Sequence, residues 1–189
     1  MDNWHRGEFM ETFTGRKFYP FDPKPEDVDM RDIAHHLAMI CRYGGATKFH
    51  YSVAQHSVLV AQNVSKKNKL RALLHDAPEY ITGDMIRPIK KSGLMPGFRG
   101  LELGIEFAIC NRFCLPHPIC NDEIKLVDDR ILLDERAFVM RSTDNEWWTD
   151  EGAKPLGIRI EQWTPERAEK EFLAAYDEYS QLDIFPEGA

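Results

Sequence analysis

The sequence predicts an all-α protein. Apolar residues recur at helical spacing in several separate segments, and helix-capping residues precede most of them. No stretch of any length alternates apolar and polar residues as a half-buried strand does. The chain has 189 residues, 43% hydrophobic and 29% charged. That length suits one domain with a full core better than two, so we expect a single helical domain over residues 1–189.

Charge and hydropathy argue against several classes of protein. The net charge of −7 disfavours binding to nucleic acid but leaves a small polyanionic substrate open. No apolar run approaches the roughly 18 residues that span a membrane. Residues 1–8 lack the basic and then apolar pattern of a secretory signal. We therefore expect a cytoplasmic protein that binds neither nucleic acid nor membranes.

The first segments are delimited by prolines, glycines and a capping aspartate. Residues 1–28 contain three prolines and several aromatics, which predict an extended, ordered N-terminal arm. Asp29 is a good N-cap for a first helix, and glycines 44–45 end it. Residues 42–43, an arginine and a tyrosine, then lie at its C-terminal end, where an arginine complements the helix dipole.

Two further helices follow, and both carry histidines. Ser52 and Gln55 form a capping box before the second helix, whose apolar stripe includes His56. A histidine on such a stripe is either a hydrogen-bonded core residue or a ligand. The third helix covers about residues 69–80, with its last turn disturbed by Pro78.

The second half of the chain predicts three more helices and one irregular segment. A fourth helix covers residues 100–113, and a fifth starts near residue 121 and reaches about residue 141. Residues 142–163, with two tryptophans and several glycines and prolines, are irregular. Thr164, Pro165 and Glu166 begin a C-terminal helix over residues 164–181, whose apolar face belongs either to the core or to an interface.

The segment around His75 and Asp76 is the strongest chemical signal in the chain. These two residues lie in an apolar run and supply one nitrogen and one oxygen ligand of the kind that a divalent transition metal accepts. Glu79 follows about one helical turn later, where a general base would face the same site. Asp84 comes just after the glycine that ends this run. Ordinary acids at a helix end are the alternative reading.

Helical periodicity separates two adjacent aspartates in the fifth helix. With Ile124 at 0°, Asp128 falls at about 40° and Glu135 at about 20°, both inside the apolar stripe. Asp129 falls at about 140°, outside it. We therefore expect Asp128 to be buried with a partner and Asp129 to be solvated. Glu135 would either orient a ligand histidine or meet an arginine.

Two other clusters are weaker signals. Three cations lie within five residues of an otherwise acidic chain, at Arg87, Lys90 and Lys91. They form either a solvated loop or a phosphate clamp. The cysteines and histidine of residues 110–120 resemble a loose zinc cluster, but their spacing matches no common zinc motif. Cysteine thiols buried in a helix explain that pattern better. The members of this second cluster are Cys110, Cys114, His117 and Cys120.

Taken together, these motifs resemble the HD-domain phosphohydrolase superfamily. The ordered set that carries the resemblance is His56, then His75 with Asp76, then Asp128. Further motifs resemble bacterial 5′-deoxynucleotidases and phage-type dATP triphosphohydrolases, and the resemblance covers about residues 12–140. They are Arg42 with Tyr43, Glu79, residues 82–84, residues 88–90, residues 14–18 and residues 52–57. Tyr43 departs from the pattern, because those enzymes carry a tryptophan there.

The resemblance implies an HD-domain helical bundle with one divalent metal held by His56, His75, Asp76 and Asp128. Two nitrogen and two oxygen ligands suit Co, Mn, Zn, Ni or Fe better than Mg.

The resemblance also implies the roles of the remaining site residues. Glu79 positions or deprotonates the nucleophile with help from Asp84. Arg42 and Lys90 bind phosphate, and Tyr43 packs against C2′ of the sugar.

The sequence thus favours a metal-dependent phosphohydrolase of deoxynucleotides. The cation cluster at residues 87–91 favours a deoxynucleoside triphosphate as the first candidate substrate, and the resemblance implies dATP. Phosphate removal would continue to the nucleoside if monophosphates are also accepted. A strict 5′-deoxynucleotidase is the first alternative, and a non-catalytic nucleotide-sensing HD protein is an alternative of another class. The resemblance also implies a homo-oligomer.

Overall fold

The computed structural model describes residues 6–145 and 152–182. Helices dominate this described part, and its only sheet has two short antiparallel strands. The predicted all-α class is therefore confirmed. The elements are β1 (Met10–Glu11), β2 (Lys17–Phe18), α1 (Met30–Met39), α2 (Val53–Gln62), α3 (Lys69–Leu73), α4 (Glu79–Thr82), α5 (Arg87–Lys90), α6 (Phe98–Phe113), α7 (Asp122–Val139) and α8 (Pro165–Leu182).

The core is built around α2. This helix packs against α1, α3, α7 and α8, and its side chains Val53, His56 and Val60 are fully buried. A helix that is apolar nearly all round must be covered on all sides. Phe172 on α8 is also fully buried, so the apolar face of the C-terminal helix belongs to the core. Among the described residues, no helix is both long and apolar enough to cross a membrane.

The predicted extended arm is instead a folded hairpin followed by a short 3-10 turn at Pro25–Asp27. The reason is the buried carboxylate of Asp32 on α1. It accepts hydrogen bonds from the hydroxyl of Thr12 at 2.8 Å and from the backbone and hydroxyl of Thr14 at 2.7 and 2.8 Å. These bonds fix the hairpin turn at residues 13–15. Two-residue strands are too short to give a periodicity signal.

The first helix ends earlier than glycines 44–45 predict. Asp29 caps it as expected, with its side chain accepting from the Arg31 backbone, but the last helical residue is Met39. The chain then extends, and the backbone N–H of Val53 donates to the Ile40 carbonyl at 3.1 Å. This bond occupies the Ile40 carbonyl, which a longer α1 would need for its own backbone hydrogen bond. Arg42–Gly45 forms a separate 3-10 turn.

The predicted third helix is split into α3 and α4 by a non-helical turn over residues 74–78. The prediction placed the disturbance near Glu79, one turn too late. A proline ring clashes with the carbonyl four residues before it, so Pro78 disrupts the helix from Leu74 onward. His75 and Asp76 consequently lie on a turn between two short helices.

The second half agrees closely with the predicted boundaries. α6 begins at Phe98, and Asn121 caps α7 by accepting from the Ile124 backbone. The Thr164 hydroxyl caps α8, and the described residues of the 142–163 segment are irregular as predicted. Its tryptophans at positions 147 and 148 lie outside the described residues. Phe138, one residue before the end of α7, is 41% exposed.

Two further sequence expectations need correction. Gln55 does not complete a capping box: Ser52 accepts from its backbone N–H, but its side chain donates to the Glu161 carbonyl at 2.6 Å. The cation cluster at residues 87–91 is not a loop, since Arg87–Lys90 forms the one-turn helix α5.

Candidate metal centre

Two histidines and two aspartates from three parts of the chain converge at one point. Nε2 of His56 lies 3.3 Å from Nε2 of His75 and 3.5 Å from Oδ2 of Asp76. Nε2 of His75 lies 3.4 Å from the same Asp76 oxygen. Oδ1 of Asp128 lies 3.3 Å from Nε2 of His56 and 4.0 Å from that of His75. α2, the turn after α3, and α7 thus bring the four predicted ligands together.

The spacing of these atoms fits a shared divalent ion. Ligand atoms at about 2.0–2.2 Å from a metal lie roughly 2.8–3.6 Å from their neighbours in tetrahedral or octahedral shells. Most of the distances fall inside that range. Among the described residues, His56, His75 and Asp76 are the group whose ligand atoms are mutually close enough to hold an ion. These residues could therefore hold a metal, with Asp128 adjacent.

Asp128 and Asp129 differ in direction more than in exposure. Their side chains are 19% and 25% exposed, so Asp128 is less buried and Asp129 less solvated than the helical stripe predicted. Only Asp128 faces His56, while both carboxylates contact the ammonium of Lys125, at 2.8 and 2.6 Å. Asp128 thus contacts both His56 and Lys125.

Glu135 orients His56 from the side away from the cluster. Its carboxylate is fully buried, and Oε1 lies 2.6 Å from Nδ1 of His56. The hydroxyl of Tyr51 donates to Oε1 at 2.9 Å, the hydroxyl of Tyr43 donates to Oε2, and a guanidinium nitrogen of Arg42 lies 3.4 Å from Oε2. The sequence left two roles open for Glu135, and the structure gives it both.

This donor set keeps Glu135 ionised. Burial alone would raise its pKa, but Arg42 and His56 outweigh burial and lower the pKa to about 2. Burial and Arg42 lower the pKa of His56, while Glu135 and Asp128 raise it more strongly, to about 9. Since an ionised carboxylate can only accept, Nδ1 of His56 donates and its Nε2 faces the cluster.

Glu79 lies beside the cluster in a nearly dry position. Its side chain is only 7% exposed, and no described residue forms a hydrogen bond with Oε2. Burial, with Asp76 and Asp84 nearby, raises its pKa well above the ordinary value. A carboxylate in this state is typical of a proton-transferring group.

Glu79 lines a cavity of about 170 Å³, and the candidate ligands His75 and Asp76 line it too. The cavity is lined by His75, Asp76, Pro78, Glu79, Lys90, Arg99, Glu102, Leu103 and Glu106. Lys90 is held there by Glu102 at 2.6 Å. The sequence analysis missed Arg99, Glu102 and Glu106. Their spacing of three and four residues on α6 puts them on one helix face, which is a signal, but nothing in the sequence assigns that face to the site.

The remaining predicted site residues are not part of the cavity lining. Arg42 is buried between Glu135 and Asp76, 3.4 Å from each. Asp84 accepts a hydrogen bond from the Tyr43 backbone at 3.0 Å. Arg87 and Lys91 are exposed and do not line this cavity.

The alternative zinc cluster and a larger surface groove are separate from this centre. Cys110 is buried and Cys114 exposed, and among the described residues the four members of that cluster form no group at ligand distances. A larger groove of about 660 Å³ lies near Lys67, Arg71 and Cys114. None of the four candidate metal ligands His56, His75, Asp76 and Asp128 lines this groove, so its size does not make it the chemical site.

The fold and the site define an all-α protein with a His–Asp centre that could hold a metal ion. The chain belongs to the same family as the uncharacterized protein YfdR of Escherichia coli K12, to which it is 31% identical over 175 residues, or 92% of this chain and 97% of YfdR. It is also 42% identical over 112 residues to an uncharacterized protein of Rhodobacter capsulatus, covering 54% of this chain and 57% of that protein. No model of a known protein family matches the chain.

Proposed function

We propose that this protein is an HD-type, metal-dependent phosphohydrolase of deoxynucleotides. The observation that carries the proposal is the convergence of His56, His75, Asp76 and Asp128 next to a cavity that contains the buried Glu79. A centre with two nitrogen and two oxygen donors suits Co, Mn, Zn, Ni or Fe better than Mg. An ion bound there would polarise a phosphoryl oxygen and acidify a water molecule.

Glu79 supplies the proton-transfer step. Its pKa is raised well above the ordinary value by burial and by the nearby Asp76 and Asp84, and a carboxyl group with such a shift is suited to exchanging a proton with a water nucleophile. Asp84 assists indirectly, because its negative charge contributes to that raised pKa. The reaction proposed is transfer of a phosphoryl group to water, which releases inorganic phosphate and leaves the deoxynucleoside from a monophosphate, or a nucleotide shorter by one phosphate from a triphosphate.

Cations beside the cluster supply the binding of the phosphate. Lys90 and Arg99 line the cavity, and Arg99 adds a planar fork that matches phosphate oxygens. Arg42 lies deeper, and its charge is shared between Asp76 and Glu135. We therefore propose that Arg42 balances the charge of the metal centre and acts on phosphate only through a nitrogen not engaged by those carboxylates.

The two candidate substrate classes, deoxynucleoside triphosphates and monophosphates, differ in the length of the phosphate chain. The sequence favours dATP or another deoxynucleoside triphosphate, with three clustered cations for its tail. One observation favours the alternative, a 5′-deoxynucleotidase acting on monophosphates. Lys90 is already paired with Glu102, and neither Arg87 nor Lys91 lines the cavity. A triphosphate would bring further negative charge against Glu102 and Glu106.

Product analysis on a nucleotide panel tests the proposal. Purified protein with Mn²⁺ or Co²⁺ is incubated with ribo- and deoxynucleoside mono- and triphosphates, and phosphate and nucleoside are quantified. We expect phosphate release from at least one deoxynucleotide and a higher rate on it than on its ribonucleotide. Metal content as purified is measured on the same sample. If metal binds but no phosphate is released from any nucleotide, the nucleotide-sensing alternative replaces the enzyme.

The assembly state is a separate proposal. The resemblance implies a homo-oligomer, and light scattering coupled to size-exclusion chromatography measures it directly. A mass near the 21.9 kDa of one chain would contradict it.

A further inference from the structure

Tyr43 sits in a strained backbone conformation beside the candidate metal centre. Its φ and ψ are 59° and 28°, and those of Gly44 are 60° and 26°. Glycine adopts this left-handed region freely, but a tyrosine incurs a steric penalty there. A strained residue persists only where surrounding contacts determine its position, and such residues cluster at functional sites.

Tyr43 is held by a hydrogen bond at each end. Its backbone N–H donates to Oδ2 of Asp84 at 3.0 Å, so the backbone end is tied to the segment that follows α4. Its hydroxyl donates to Oε2 of Glu135 on α7. The residue therefore spans the site between a carboxylate near the cavity and the carboxylate that orients His56.

The hydroxyl of Tyr43 affects the orientation of Glu135, because the two carboxylate oxygens of Glu135 accept hydrogen bonds from different donors. Oε1 receives Nδ1 of His56 and the Tyr51 hydroxyl, and Oε2 receives the Tyr43 hydroxyl and the more distant Arg42. A donor on Oε2 restricts rotation of the carboxylate and so fixes the direction of Oε1. Groups that orient a ligand histidine typically contribute 10–100-fold to metal affinity.

We propose that Tyr43 is a positioning residue of the metal centre, acting through Glu135 on His56, and not the group that reads the sugar. The polar tip of its side chain is directed inward to a fully buried carboxylate. One face of its ring is toward the guanidinium of Arg42, whose central carbon lies 5.4 Å from the ring centroid. This role rests on the metal site of the proposed function, but not on any nucleotide being the substrate.

Cobalt titration of Tyr43→Phe tests this role without turnover. The variant keeps the ring and removes the donor to Glu135. We expect the Kd for Co²⁺, followed by its visible absorption, to rise about 10-fold. Tyr179→Phe is the control, because Tyr179 is a buried tyrosine on α8 whose ring contacts Lys69, away from Glu135. Its Co²⁺ affinity should equal that of the wild type. An unchanged Kd in Tyr43→Phe would overturn the proposal.

A double variant separates positioning from a general loss of structure. If Tyr43 acts through Glu135, adding Tyr43→Phe to Glu135→Gln should not weaken Co²⁺ binding further. Fully additive losses would overturn the proposal, because they would mean that Tyr43 acts independently of Glu135.

The sugar preference gives the last readout. The ratio of kcat/KM for a deoxynucleotide and its ribonucleotide should stay within about twofold of wild type in Tyr43→Phe, well short of a 1.4 kcal/mol tenfold change. A collapsed ratio with unchanged Co²⁺ affinity would assign Tyr43 to sugar recognition instead. If the wild type hydrolyses no nucleotide, the proposed function fails, while the Co²⁺ titrations still decide the role of Tyr43.

Discussion

Nδ1 of His56 and Oε1 of Glu135 are 2.6 Å apart, and both side chains are completely buried. The pair joins α2 to α7 at the base of the candidate metal centre. Because the ionised carboxylate accepts the Nδ1 proton, the other ring nitrogen of His56 is directed at His75, Asp76 and Asp128. This relationship fixes both the tautomer and the orientation of a candidate ligand.

Replacing Glu135 should therefore weaken metal binding without removing a ligand. We expect Glu135→Gln to raise the Kd for Co²⁺ or Mn²⁺ about 10–100-fold, because His56 loses its charged acceptor. Isothermal titration measures the change. The matched control is Glu169→Gln, which alters a second histidine–glutamate pair, with His35 at 2.9 Å, on α1 and α8. Equal metal affinity in both variants would contradict the orienting role.

Replacing the two adjacent aspartates on α7 should have sharply different effects on metal binding and activity. Asp128→Asn removes a candidate ligand and should abolish both metal binding and phosphate release. Asp129→Asn should stay close to wild type, since Asp129 contacts Lys125 and not His56. The same experiment reports stability by mass action: saturating metal at 100 times its Kd should stabilise wild type by about 2.7 kcal/mol. Thermal unfolding should show this shift in Asp129→Asn and not in Asp128→Asn. If the Asp129 variant is the inactive one, the assignment is wrong.

Replacing Glu79 should change the turnover rate more than the affinity for metal. In Glu79→Gln the buried position is kept but the proton acceptor is lost, so kcat should fall about 10²–10⁴-fold. The metal Kd should change less than about threefold, because Glu79 is not among the converging ligand atoms. Kinetics and metal titration on the same preparation check both parts. A variant that retains wild-type kcat would remove Glu79 from the proposed mechanism.

Lys90 distinguishes the two substrate candidates. If the enzyme acts on triphosphates, Lys90→Ala should reduce kcat/KM for dATP more than for dAMP. If it acts on monophosphates, the variant should lose most of its activity on dAMP, and wild type should not hydrolyse dATP. Lys91→Ala is the matched control, since this exposed lysine does not line the cavity. Wild-type hydrolysis of dAMP but not dATP would end the triphosphate hypothesis.

The partner of Lys90 gives a complementary test of the same question. Glu102→Gln removes the negative charge held 2.6 Å from Lys90. Binding of a longer phosphate chain should improve, so the ratio of dATP to dAMP kcat/KM should rise. An unchanged ratio would show that this ion pair does not set the substrate length.

Glu123 should make stability depend on pH outside the metal centre. Its carboxylate accepts from the Ser65 backbone and hydroxyl and from the Asn68 amide. The backbone bond to Ser65 is the main cause that lowers its pKa below the ordinary 4.5. A carboxylate with a lowered folded pKa stabilises the protein above its unfolded pKa, and this contribution disappears as the pH falls through the folded value.

Urea unfolding of Glu123→Gln checks that prediction. We expect the variant to lose about 1 kcal/mol of unfolding free energy at pH 7, and the difference from wild type to shrink well below pH 4.5. Asp122→Asn changes the neighbouring exposed acid and should show a smaller loss at pH 7. A difference between wild type and Glu123→Gln that is constant with pH would rule out the ionised carboxylate as its source.

Helical periodicity predicted the direction of Asp128 because direction is a local property of a helix. At 100° per residue, its side chain must point the same way as the apolar residues of α7. Periodicity did not predict its remaining exposure of 19%, because that depends on what covers the helix. The same distinction explains Glu135: the sequence placed it on the buried stripe, and the tertiary structure brought His56 of α2 and Arg42 of the 3-10 turn to it as partners.

The sequence by itself determined the helical class, most of the helix starts and the residues that could bind a metal, because capping, periodicity and ligand chemistry act over a few neighbouring residues. Only the tertiary structure decided the early end of α1, the inward direction of Tyr43 and the presence of Arg99 and Glu102 beside the cavity. Each of these depends on contacts between segments far apart in the chain, such as Val53 with Ile40 and Tyr43 with Glu135. Such contacts outweigh local preference because a buried polar group without a partner is unfavourable.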